Sequence, residues 1–116
     1  MTVQTDLESF RTYRETMNQR ILDSDNLDIK RFFALDSSVY RKGALDEKIK
    51  ELMGLVASTV LRCNDCILYH IDRCVQCGVN EEEFQEAVSI ALVVGGSITI
   101  PHIRYAFEMY EKLSGK

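Results

Sequence analysis

Arg62-Cys63-Asn64-Asp65-Cys66-Ile67-Leu68-Tyr69-His70 decides how the rest of this chain is read. Two cysteines stand three apart, and a histidine follows four residues after the second. On a helix, positions three and four apart share a face. At about 100° per residue, Cys63, Cys66 and His70 fall within an arc of about 60°. The stretch also contains a break. Asn64 and Asp65 start helices well and sit poorly inside them. One helix is therefore expected to end near Val60 to Arg62, and another to carry Cys66 to Cys77 with Gly78 as its stop.

Working outward, the preceding helix starts at Asp46, with Leu45 before it and Glu47 in its first turn. Ile49, Leu52, Met53, Val56 and Val60 form its apolar stripe. Downstream, Asn80 followed by Glu81, Glu82 and Glu83 places negative charge at the positive end of a helix dipole. Phe84, Ala87, Val88, Ala91 and Leu92 continue that helix to Gly95-Gly96-Ser97. Ser97-Ile98-Thr99-Ile100 has strand propensity but no partner strand. It reads as the start of a last helix ending near Leu113, with Pro101 in its first turn. At the other end, Leu7, Phe10, Arg14, Met17 and Ile21 recur at helical spacing, so a first helix runs from about Thr5 to Leu22. Asp23-Ser24-Asp25-Asn26 breaks it. A second helix starts at Leu27 and reaches about Leu35, with Ile29, Phe32 and Phe33 inward. Asp36-Ser37-Ser38 is expected to interrupt it, and Arg41-Lys42-Gly43 to form a loop. One proline and six glycines in 116 residues leave few breakers. The fold class is all-α, a bundle of about six helices in a single domain over 1–116.

Composition narrows the function. A net charge of −4 and no dominant basic patch argue against a nucleic-acid partner. No apolar run approaches the ~18 residues of a membrane span. Met1-Thr2-Val3-Gln4-Thr5-Asp6 lacks the basic and then apolar regions of a secretory signal, so a cytoplasmic location is expected. There cysteine pairs tend to be catalytic or metal-binding. All four cysteines lie between Cys63 and Cys77, too close together to staple distant parts of a fold.

A helix starting near Asn64 puts Cys63 and Cys66 at its N-terminal end. Unpaired N–H groups and the helix dipole lower a thiol's pKa there, and the thiolate is the reactive form. His70, one turn on, can exchange a proton near neutral pH. Two thiols three apart can close a disulfide. Together these suit a dithiol that is oxidised and then re-reduced; the bland alternative is that cysteines are buried as small hydrophobes. Cys74 and Cys77 make a second pair, which raises zinc. Cys63 and Cys74 are eleven residues apart, about 16 Å along a helix. All ligands of a tetrahedral zinc must lie within ~2.3 Å of it. One helix cannot bring both pairs to one ion, so no metal is expected. Cys74 and Cys77 read as helix-face packing or surface thiols.

Glu51 stands twelve residues before Cys63, giving Glu-x11-Cys-x2-Cys-x3-His over Glu51, Cys63, Cys66 and His70. That pattern resembles AhpD-like alkylhydroperoxidases within the carboxymuconolactone decarboxylase family. The resemblance runs from about Leu45 to Leu113 and includes Leu45-Asp46-Glu47-Lys48, Phe84-Gln85-Glu86-Ala87 and Val93-Val94-Gly95-Gly96. Residues 1–43 resemble the helical N-terminal extension of small members. The resemblance implies a thiol-dependent peroxidase or disulfide reductase. Cys66 matches the cysteine that attacks the peroxide, Cys63 the one that donates a proton and closes the disulfide, and Glu51 and His70 the proton relay. It further implies no bound cofactor, a hydroperoxide substrate, an external dithiol reductant such as a lipoyl-carrying protein, and homo-trimers or homo-hexamers.

Two features depart from the pattern. Cys74 and Cys77 are extra, and Asn64-Asp65 replaces the Ser-His of the best-known members, so a supporting histidine is missing from the motif. His102 reads as a helix-start histidine at the surface, and Gly95-Gly96 as close packing or a turn. Glu51 poses a geometric demand: on a straight helix it would lie ~18 Å from Cys63, so the chain must turn between Val60 and Asn64. Two other functions compete. A lactone decarboxylase of the same family needs no dithiol, and a non-enzymatic helical oligomer could sense redox state.

Overall fold

Helical periodicity accounts for nearly every element of the chain. The structure, a computed structural model, describes Val3–Gly115, with side chains from Leu7 onward. Among the described residues there are six α-helices and no strand: α1 (Val3–Leu22), α2 (Leu27–Val39), α3 (Glu47–Val60), α4 (Asn64–Gln76), α5 (Glu81–Gly95) and α6 (Ile100–Ser114). A 3-10 turn over Ser97–Thr99 leads into α6, with Pro101 in its first turn. The all-α reading holds. No described helix is long and apolar enough to cross a membrane. The chain falls into two units, Met1–Tyr40 and Arg41–Lys116.

The first unit is a pair of helices. Leu7, Phe10, Arg14, Met17 and Ile21 are the covered side of α1, as their spacing requires. Asn26 caps α2, its side chain accepting the Ile29 amide at 3.0 Å. Two expectations fail in α2. It runs straight through Asp36-Ser37-Ser38 to Val39, because the Ser38 hydroxyl donates to the Leu35 carbonyl at 3.0 Å and so is satisfied inside the helix. Ile29 and Phe32 are exposed rather than inward, and α2 buries no residue.

In the second unit α3 packs on both α4 and α5, and α6 packs on α4. The core holds Leu55, Ile67, Ile71, Cys74, Phe84, Val88, Ala106 and Tyr110. Phe84 stacks on Tyr110 at 4.4 Å, and the Tyr110 hydroxyl reaches back to the Val79 carbonyl at 3.2 Å. Asn80 and Glu83 form a reciprocal capping box at the start of α5. Gly78, at φ 83°, ends α4: its amide bonds to Val75 and that of Val79 to Cys74, the two bonds of a Schellman stop.

α3 runs from Glu47 to Val60, as its start and stop signals require. Its buried face is Glu51, Gly54, Leu55, Ser58 and Thr59. The apolar stripe lies on the other side, where Ile49, Leu52, Met53 and Val56 line an open groove of about 330 Å³ with Ala87 and Ile90 of α5. α3 meets His70 of α4 with Glu51 and Gly54, while Leu55 of the same face enters the core.

Candidate active site

The break between α3 and α4 builds the site. α3 ends in a second Schellman stop: the Arg62 amide bonds to Thr59 at 3.1 Å and the Cys63 amide to Ser58 at 3.1 Å. The left-handed position, usually glycine, is filled by Arg62 at φ 60°, the one non-glycine with positive φ among the described residues. The chain reverses there, as Glu51 requires. Cys63 is then the N-cap of α4, and its Sγ accepts the Cys66 amide at 3.3 Å. Asn64 and Asp65 are the first two helical residues and Cys66 the third. Both sulfurs therefore lie at the amide-rich end of α4, where negative charge is favoured. Cys63 and Cys66 are joined as a disulfide, with Cα atoms 5.3 Å apart. Cys66 faces solvent and Cys63 is half-buried.

One turn on, His70 points into the unit. Its Nδ1 lies 2.9 Å from Glu51 Oε1, and both side chains are buried, at 8% and 2% exposure. With Nδ1–H donating to the carboxylate, the basic lone pair of the ring sits on Nε2. The ring lies against α3 at Gly54. A Cβ there would stand 2.6 Å from His70 Cε1, 2.8 Å from Nδ1 and 2.9 Å from Nε2. Only glycine leaves room.

Glu51 is a carboxylate taken almost wholly out of water, which demands compensation. Arg73, one turn beyond His70, brings Nε to 3.8 Å from Glu51 Oε2 and its other arm to 2.7 Å from Glu47 Oε1. Burial works against the Arg73 charge, and Glu51, Tyr69 and Glu47 outweigh it, leaving its pKa raised. Glu47 also accepts from the Cys77 thiol at 3.6 Å. Gly54, Arg73 and Glu47 were not singled out from sequence. The signal was there: a glycine inside a helix costs about 1 kcal/mol against alanine, so its presence three residues after Glu51 marks a close approach.

The second cysteine pair is differently placed. Cys74 is fully buried in the core, and burial, followed by the charges of Glu51 and Cys77, pushes its thiol up to about 12. Cys77 is half-buried and also raised, chiefly by burial and Glu47. Neither favours a thiolate. Cys74 is packing, as expected. Among the described residues, no group of three or more His, Cys, Asp or Glu side chains is disposed to hold a metal ion. His102 stands at the start of α6, as read. It is half-buried, and its Nδ1 lies 2.7 Å from Asn64 Oδ1, inside the Cys63–Cys66 motif. Gly95 is a close approach, as read: a Cβ there would run into Thr99 and touch Val60.

Comparison with known proteins gives the family and the fold. The profile of the carboxymuconolactone decarboxylase family matches residues 29–109. A crystal structure of a family member from Thermotoga maritima superposes with a TM-score of 0.88 at 58% identity, covering 92% of this chain and 91% of that one. A part in antioxidative response has been suggested for that protein. An apo family protein from Legionella pneumophila superposes at 0.71 with 26% identity over 97% of this chain and 90% of its own. An uncharacterized protein of the cox locus of Paracoccus denitrificans is 27% identical over 84 residues, 72% of this chain and 76% of that protein.

Proposed function

This chain belongs to the carboxymuconolactone decarboxylase family, and from that premise we propose that it is a thiol-dependent peroxidase, turning over on Cys63 and Cys66 with Glu51 and His70 as proton relay. One observation carries the reading. A buried 2.9 Å Glu51–His70 bond lies one helical turn behind a solvent-facing Cys66 at the amide-rich start of α4. The disulfide between Cys63 and Cys66 is the oxidised end of such a cycle. The antioxidative role suggested for the Thermotoga maritima relative points the same way.

In the proposed cycle His70 takes the Cys66 proton, with Glu51 holding the ring's tautomer and offsetting the imidazolium. The Cys66 thiolate attacks the nearer peroxide oxygen. The O–O bond breaks, an S–O bond forms, and the leaving alkoxide takes a proton to become an alcohol. Cys63 sulfur then displaces water from the Cys66 sulfenic acid, closing the disulfide. An external dithiol returns two electrons and two protons, becoming a disulfide itself. A lipoyl group on a carrier protein suits this, because a vicinal dithiol reduces by ring closure. No bound cofactor enters the cycle. A homo-oligomer, trimeric or hexameric, belongs to the same proposal, and α5 supports it by leaving Ile90, Val93 and Val94 largely exposed.

The test is hydroperoxide consumption by the purified protein with dihydrolipoamide as reductant. Cys66→Ser is expected to lose activity by at least ~10²-fold. Cys63→Ser is expected to arrest at a Cys66 sulfenic acid, visible by mass spectrometry after one equivalent of peroxide. Unchanged peroxide consumption in Cys66→Ser overturns the proposal.

A further inference from the structure

We propose that His102 is a second histidine of the dithiol site, a positioning residue whose charge, held beside the motif through Asn64, is coupled to ionisation of the reduced Cys63–Cys66 pair. The inference rests on reading that pair as a redox-active dithiol. It does not require that peroxide be its oxidant.

The argument starts with the bond. His102 Nδ1 lies 2.7 Å from Asn64 Oδ1. An amide oxygen can only accept, so Nδ1–H donates. The imidazolium and the Nδ1–H neutral tautomer both make that bond, so the ring stays in place while Nε2 gains or loses its proton. Asn64 follows Cys63 directly and is the first residue of α4, within the turn whose amides hold the Cys63 sulfur. An imidazole is thereby tethered to the first of the two residues between the cysteines.

Both ends of the tether are fixed. Pro101 precedes His102 in the first turn of α6, and Ala106 and Tyr110 anchor that helix in the core. Asp65, the other residue between the cysteines, also feels α6: burial, then Asp65, then Glu108 push the Tyr105 phenol up. Within six residues of Asn64 or His102 along the chain, the charged and titratable residues besides the cysteine pair are Arg62, Asp65, Tyr69 and His70, and Arg104, Tyr105 and Glu108 of α6. The segment from Val93 to Thr99, which ends α5 and forms the 3-10 turn, carries none.

The disulfide is uncharged. Reduction by two electrons and two protons creates thiols, one of which ionises readily at a helix start. An imidazolium held nearby favours that thiolate, and the thiolate favours the imidazolium by the same factor, since coupling between two sites is reciprocal. Oxidation removes the charge and the coupling. The histidine reaches the motif from α6, 38 residues away in sequence.

The chain has two histidines, so their ring protons are assigned with one variant. NMR titration of the full protein, oxidised and then reduced with a phosphine, reads His102 in both states. Its pKa is expected to rise by about half a unit or more on reduction. In parallel, thiolate absorbance at 240 nm reads the reduced pair, with an upward shift of similar size expected in His102→Gln and Asn64→Ala. His102→Gln separates charge from scaffolding, because its side-chain amide can still donate to Asn64. If His102 were only a strut, His102→Gln would titrate like the wild type.

A His102 that titrates identically in both redox states, or a thiolate titration unmoved by His102→Gln, overturns the inference. If the redox-linked shift is present and the protein consumes no peroxide, the peroxidase reading fails and this one stands. If peroxide turns over without the shift, the reverse holds. A pair that the phosphine does not open overturns both.

Discussion

Gly54→Ala adds one carbon at the point where α3 meets His70. The new Cβ would stand 2.6 to 2.9 Å from three ring atoms. To restore the 3.4 Å at which ordinary contact begins, the ring must retreat by about 0.8 Å at its closest atom. His70 cannot do this and keep a 2.9 Å bond to Glu51, because that carboxylate is on the same helix as the intruding carbon. Two costs follow. Overpacking a tight site typically costs about 1–3 kcal/mol. Weakening a buried charge-assisted hydrogen bond costs about 1.5–3 kcal/mol more. Better helix propensity returns about 1 kcal/mol. The expected net destabilisation is about 1.5–5 kcal/mol, read from urea unfolding. On the proposed cycle, in which His70 is the base, peroxide turnover is expected to fall by ~10²-fold or more. Gly43→Ala is the control, since a Cβ there meets only Lys50 Nζ at 3.7 Å. A Gly54→Ala protein with wild-type stability and turnover would refute both the packing argument and the role given to His70.

Two further perturbations test neighbouring parts of the structure. Cys74 keeps its proton in the folded state up to about 12, against 9.0 for an ordinary thiol. The unfolded thiol ionises first as pH rises, so this stabilising contribution is full below about pH 9 and is lost toward pH 12, at up to about 1.4 kcal/mol per pH unit. Urea unfolding between pH 8 and 10.5 should show that slope, and Cys74→Ala should flatten it. Arg62 holds φ 60°, which a β-branched residue tolerates badly. Arg62→Val should lower stability by about 1–2 kcal/mol, while Arg62→Gly should match or exceed the wild type. Equal melting temperatures for the two would sink the Schellman account of the α3–α4 turn.

The parts legible in sequence were those governed by local rules. Capping residues and breakers placed six helices, and the 3.6-residue period put Cys63, Cys66 and His70 on one face. The demand that Glu51 reach them required a turn where Arg62 makes one. Misreadings arose where a local rule met a competing bond or a tertiary neighbour. Asp36-Ser37-Ser38 carries break signals, yet the Ser38 hydroxyl is satisfied within the helix. The apolar stripe of α3 is visible in the sequence, but not that it lines a groove with α5 while Glu51 and Gly54 are covered on another side of the helix. Gly54 and Arg73 had weak local signals, spaced by three residues from Glu51 and His70 respectively. His102 had none: it meets Asn64 from a helix 38 positions away, and no local pattern encodes that meeting.

Arg62 has one more consequence. Glu51, Cys63, Cys66 and His70 all belong to a single helical hairpin hinged at that residue. Contacts so close along the chain close small loops and form early and fast. The Glu51–His70 pair and the two cysteines can therefore come together before α5 and α6 have docked, and a 47–76 segment carries all four side chains. It would leave behind the α6 contact at Asn64 and the core beneath Ile67 and Ile71. The hairpin thus carries the four site residues together with half of the core, and α5 and α6 supply the rest by packing on α3 and α4.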